Sequence, residues 1–193
     1  MSTADPRPRT GAPPSPSDPR SIVSTWAQAG LERWFVVDPT FDASLRHRFQ
    51  ADHLAAARGD RDAWSTEPEG ALALLILLDQ IPRNIFRGTA HMFATDPLAL
   101  RWARLFLDAG FDQTFDPDLR LLFYLPFTHS EALDDQATSV ARRQPLGPRI
   151  VRKAAEHRDI IARFGRFPHR NAMLGRDTTP QERDYLAQGG FAG

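Results

Sequence analysis

Three stretches of the chain set ionisable side chains directly against apolar runs. The first is Leu77-Leu78-Asp79-Gln80-Ile81-Pro82-Arg83-Asn84-Ile85-Phe86-Arg87-Gly88. Asp79 and Gln80 prolong the apolar run Ala71–Leu78, and a carboxylate carried into a core must find a partner or give up its charge. Arg83 and Arg87 follow four and eight residues later, roughly on one helical face. Two readings fit. Asp79 and Arg83 lock a bend at Pro82, or they form part of a site for an anion.

The second stretch is Phe123-Tyr124-Leu125-Pro126-Phe127-Thr128-His129-Ser130-Glu131. Pro126 is read as the end of one helix and Ser130 as the start of the next. His129 and Glu131 then fall at a helix N-terminus, where free N–H groups and the positive end of the dipole gather. Placed there, His129 is a candidate proton shuttle and Glu131 the group that fixes its tautomer. Alternatively, Thr128 or Ser130 caps the helix and His129 bonds only to backbone.

The third stretch is Arg163-Phe164-Gly165-Arg166-Phe167-Pro168-His169-Arg170-Asn171, with Arg176 beyond it. Gly165 suits the position after a helix end, where φ turns positive. Planar guanidinium forks suit carboxylate or phosphate, which makes Arg166, Arg170, His169 and Asn171 candidate ligand contacts. The plainer reading has these arginines binding helix C-terminal carbonyls and surface acids. His157 lies on an apolar stripe and reads as a hydrogen-bonded core residue. Trp26, Trp34, Trp64 and Trp102 read as packing residues.

The elements that must position these groups are helices. Asp38-Pro39, Asp96-Pro97, Asp116-Pro117 and Thr179-Pro180 each put a capping side chain before a proline. The cap accepts an orphan N–H, and proline at the first helical position has none to satisfy. Thr179 and Glu182 also have capping-box spacing. Phe41, Leu45 and Phe49 recur on one face, as do Leu98, Trp102, Leu105 and Ala109, and Ile150, Ala154, His157, Ile161 and Phe164. The pattern predicts about eight helices, near 20–35, 40–57, 67–80, 82–87, 95–109, 117–125, 130–143 and 148–164, with a short one at 180–188. The stretch after Pro82 is the ninth piece if counted apart. Val36-Val37 is too short for a strand, so the fold class is all-α, with sequential helices packed antiparallel. Ala71–Leu78 is apolar all round and must be the central helix.

Composition narrows the function. The 193 residues carry 24 basic and 24 acidic side chains and no cysteine. Balanced charge argues against nucleic acid as a partner, and the lack of cysteine excludes disulfides, thiolate metal sites and thiol nucleophiles. No nucleotide-binding or metalloprotease motif is present, and His129-x-Glu131 alone does not make a metal site. No metal and no cofactor is expected. The longest apolar run falls far short of a membrane span. Residues 1–20 hold Pro6, Pro8, Pro13, Pro14, Pro16 and Pro19 among polar residues. That composition predicts a disordered tail ahead of one domain over 21–193, in a cytoplasmic protein.

The three stretches, with Phe35, Phe41-Asp42, Trp64 and Thr179-Pro180-Gln181-Glu182, resemble the bacterial domain-of-unknown-function family numbered 924 of the tetratricopeptide-like superfamily. The resemblance spans about residues 24–191. It implies an array of antiparallel helix pairs and supplies no reaction. Two functions remain in view. In the first, Asp79, Arg83, Arg87, His129, Glu131, Arg166, His169, Arg170 and Asn171 converge on a small anionic molecule, with His129 and Glu131 as the catalytic pair. In the second, the same residues are buried braces of a helical scaffold that binds a peptide or protein.

Overall fold

A computed structural model describes residues 17–191, and all regular structure among them is helical. Of the expected tail over 1–20, residues 1–16 lie outside the described residues, and Pro19 and Arg20 already belong to the first helix. Helix α1 (Pro19–Ala29) starts on the side chain of Asp18, which accepts from Ser21 N. It is followed by a single turn, α2 (Leu31–Trp34), and by α3 (Pro39–Ala57). The expected continuous helix to residue 35 is thus broken. Gly30, at φ 77° and ψ 159°, turns the chain between α1 and α2, a conformation that costs a residue without Cβ little.

The central element is α4 (Pro68–Leu75), a π turn over Ile76–Gln80, and α5 (Ile81–Ile85), which follow one another without a loop. Residues 71–78 are at most 1% exposed, as the all-round apolar run requires. The α4 segment packs against α1, α6 (Asp96–Asp108) and α7 (Pro117–His129), while α5 lies on α3. Each Leu or Ile buried here contributes about 1.5–3 kcal/mol. That sum offsets the cost of carrying Asp79 and Gln80 into the interior.

The π turn has a chemical consequence. Ile81 N–H bonds back to Ile76 O, and Pro82 has no N–H to give. The carbonyls of Leu77 and Leu78 therefore lose their usual helical donors, and a buried carbonyl left bare costs about 1–3 kcal/mol. His53 Nδ1 takes up Leu77 O at 2.8 Å, and the Thr95 hydroxyl takes up Leu78 O at 2.5 Å.

The remaining helices stack in chain order. α6 packs on α7, α7 on α8 (Leu133–Arg142), and α8 on α9 (Pro148–Phe164). α9 ends where expected, at Gly165 with φ 69°, whose N–H bonds to Ile161 O. A short α10 (Pro180–Ala187) closes the chain with the Thr179–Glu182 capping box. Asp38, Asp116 and Thr179 cap as their sequence position demands. Asp96 does not. Thr95 holds the cap position of α6 without a side-chain capping bond, its hydroxyl being spent on Leu78 O, and the Asp96 carboxylate is used elsewhere.

The α7 helix departs from expectation in its length. It runs through Pro126 to His129 instead of stopping near 125. An internal proline costs about 3 kcal/mol, but residues 121–128 are all buried, and tertiary packing outweighs that cost. The far end is then closed by a side chain, because Gln136 Nε2 donates to Thr128 O and Ser130 O, both at 2.7 Å.

Candidate functional site

Because α7 continues to His129, that residue stands at a helix C-terminus, not at the N-terminus of the next helix. From there its ring reaches the π turn. Nδ1 lies 2.7 Å from Asp79 Oδ1. A carboxylate can only accept, so the hydrogen sits on Nδ1 and the lone pair on Nε2. Nε2 has no partner among the described residues, and the side chain is 16% exposed. Burial, reinforced by Arg83, pushes His129 down to about 3, so the ring stays neutral. Burial alone would raise Asp79, but His129 and Arg83 hold its carboxyl well below the usual range.

The expected Asp79–Arg83 pair is present, and it is shared. Arg83 Nη2 donates to Asp79 Oδ1 at 3.3 Å and to Asp96 Oδ1 at 2.8 Å. Arg170 approaches the other Asp96 oxygen at 3.5 Å. Its guanidinium is sandwiched between Phe93 and Phe167, at 4.7 and 4.5 Å from the ring centres. Burial, with Asp79 nearby, lifts Asp96 to about 6 against the pull of Arg83 and Arg170. Arg170 is in turn lowered to about 10 by burial and by Arg83.

Arg143 adjoins the cluster through Thr128, the residue before His129. It follows α8 and is 3% exposed. Its Nη2 donates to the Thr128 hydroxyl, which also meets Ser139 Oγ and donates to Tyr124 O. No carboxylate pairs with Arg143 among the described residues, and its Nε is buried without an acceptor. Burial lowers it to about 10, with Asp79 the group that favours its charge.

The other expected residues belong to a second network. Glu131, expected to orient His129, does not do so. Its carboxylate accepts from Arg176 Nη1 and Nη2 at 2.7 and 3.1 Å, and from Phe167 N at 2.8 Å. Asp79 takes the orienting position instead, because the longer α7 swings His129 toward the central helix. Arg176 also binds Asn171 Oδ1 and Phe167 O. Arg166 makes a two-pronged pair with Glu182 at 2.6 and 2.9 Å, and Asn171 donates to the same glutamate. Arg87 lies apart from both groups, binding Asp42 alongside Asn84 and tying α5 to α3.

His169 borders the first cluster. Its ring packs against Phe167 and Phe191, its Nδ1 is buried without a partner, and burial with Arg170 lowers it to about 4. His157 bonds Lys153 O at 2.8 Å and also packs on Phe191.

The structure thus brings together Asp79, Arg83, His129 and Arg170 with His169 beside them. It assigns Glu131, Arg166 and Asn171 to the neighbouring network and Arg87 to a separate pair. Sequence reasoning missed Asp96 and Arg143. Asp96 had the signature of a cap, and Arg143 reads as an ordinary charge at a helix end. Two shallow surface grooves, one beside Trp64 and Glu67 and one beside Thr25 and Thr40, contain none of the site residues. Among the described residues no set of three His or acidic side chains is grouped to hold a metal ion, and no helix is long and apolar enough to cross a membrane.

Comparisons with known proteins give a family and no chemistry. The model of a family described as "Bacterial protein of unknown function (DUF924)" matches residues 22–190. The chain is similar to the solved structure of ATU0120, a protein of unknown function from Agrobacterium tumefaciens. The two share 51% identity and a TM-score of 0.86, over 89% of this chain and 97% of that one. No curated protein matches. With all three of its ionisable stretches inside the matched span, the chain belongs to the bacterial DUF924 family.

Proposed function

We propose that the Asp79–Asp96 cluster binds a small anion and that His129, held by Asp79, accepts a proton there. The observation that supports this is Arg143, a buried guanidinium with no carboxylate. A protein gains no stability from such a group, since an unpaired buried charge is costly. A ligand that brings the missing negative charge accounts for it. The cluster opens to solvent where that ligand can enter, because Arg83, Asp96 and His129 each keep 15–16% of their side-chain surface. His129 has the geometry of a base. Its Nδ1–H is fixed by Asp79, and its Nε2 lone pair is free among the described residues.

The test is Arg143→Met, followed by thermal melting with phosphate, sulfate and acetate. Thr128 keeps its bonds to Ser139 and Tyr124, so the substitution leaves no orphan. The variant should be at least as stable as the parent in plain buffer. The parent should gain stability from at least one anion, about 2.7 kcal/mol at a hundredfold excess over Kd, and the variant should not. A variant that unfolds, or that keeps the full anion response, makes Arg143 a brace and ends the proposal.

A further inference from the structure

We infer that the anion is a singly charged carboxylate seated on Arg143; this rests on reading the cluster as an anion site. The charges within it can be counted. Arg83, Arg143 and Arg170 bring three positive charges, and Asp79 and Asp96 bring two negative ones. His129 is neutral, and Glu131 is matched by Arg176. One positive charge is left over, and it lies on the one arginine of the three that has no acid.

Valence and shape both follow from this. A monoanion closes the count. A dianion overshoots it and sets its second charge near Asp79 and Asp96, which burial prevents water from screening. On Arg143 one Nη2 hydrogen is engaged, by Thr128, while Nε and Nη1 have no acceptor among the described residues, so the second Nη2 hydrogen and its parallel neighbour on Nε or Nη1 form a free fork. A planar carboxylate matches two parallel N–H donors of a guanidinium, which a spherical halide cannot do.

Isothermal titration of the full chain with acetate, propionate, malonate, sulfate and chloride tests this. Propionate or acetate should bind the parent about tenfold tighter than malonate or sulfate, and chloride should bind weakest. Asp96→Asn raises the leftover charge to two and should turn the preference toward malonate or sulfate. If malonate or sulfate wins on the parent and Arg143→Met abolishes its binding, the valence argument is overturned and the anion site stands. If Asp96→Asn does not fold, the order on the parent decides by itself. If no anion binds the parent, or Arg143→Met binds as the parent does, the anion site falls as well.

Discussion

The Glu131–Glu182 network and the Asp79–Asp96 cluster use the same residue types, and Phe167 touches both. Its N–H serves Glu131, and its ring carries Arg170. In the first, every charge has an answer. Arg176 is matched two-pronged by Glu131, and Arg166 is matched two-pronged by Glu182. Burial would raise Glu131, but Arg176 and Phe167 N bring it down, and Arg166 holds Glu182 at about 2. In the second, two carboxylates are divided between two arginines and a histidine, and Arg143 is left without one. A closed set of charges holds a fold together. An open one is an expense in stability that a binding site explains.

The largest expected effect lies where the open cluster is anchored. Asp79→Ala removes a carboxylate that is 1% exposed and leaves Arg83 with Asp96 alone and His129 with no acceptor. Breaking a buried pair costs about 3–5 kcal/mol, so chemical denaturation should show a loss of that size or a chain that does not fold. A neutral outcome would place Asp79 outside the core.

Arg176→Met sharpens the contrast. It takes the only side-chain donor from Asn171 Oδ1, leaves Glu131 with Phe167 N and leaves Phe167 O with Arg170 N, which should cost about 2–3 kcal/mol. Arg143→Met, of the same chemistry, should cost nothing. Equal losses in urea titrations of the two variants would erase the difference between closed and open clusters.

The smallest effect is one of slope with pH. His129 and His169 are lowered to about 3 and about 4, from an ordinary value of 6.5. The unfolded chain therefore binds protons first, and stability drains away as pH falls below 6.5. Asp96 works the other way, since its carboxyl is raised to about 6 and takes up a proton more readily when folded. Glu182 is lowered, so its contribution is full above 4.5 and is lost as pH falls toward 2. His169→Asn should reduce the slope of stability against pH by about one proton between pH 6.5 and 4, leaving the Glu182 region below it unchanged. An unaltered slope would mean that His169 titrates normally.

Helix starts were legible because Asp38, Asp116 and Thr179 cap by local chemistry. The buried central helix was legible from its all-round apolar run, and Asp79–Arg83 from spacing. The failures share a cause. Asp96 has a capping sequence, yet two arginines distant in the chain claim its oxygens. Pro126 is a local stop signal overridden by packing on both sides of α7. Both errors gave a local rule priority over long-range electrostatics or burial, and both fall at the site. Arg143 had no local signal, since its distinction is a missing partner, which only a folded chain reveals.

The π turn at Ile76–Gln80 has a genetic reading. A turn closed from residue i to i+5 holds one residue more than the α turn it replaces. The bulge is a difference of length, not of residue type. One codon fewer within that span lets the helix close in ordinary register, with α4 and α5 keeping their faces toward the core. It also removes the extra backbone from which Asp79 meets His129. Acquiring or discarding the open cluster is then an insertion or deletion event, separable from inheritance of the fold around it.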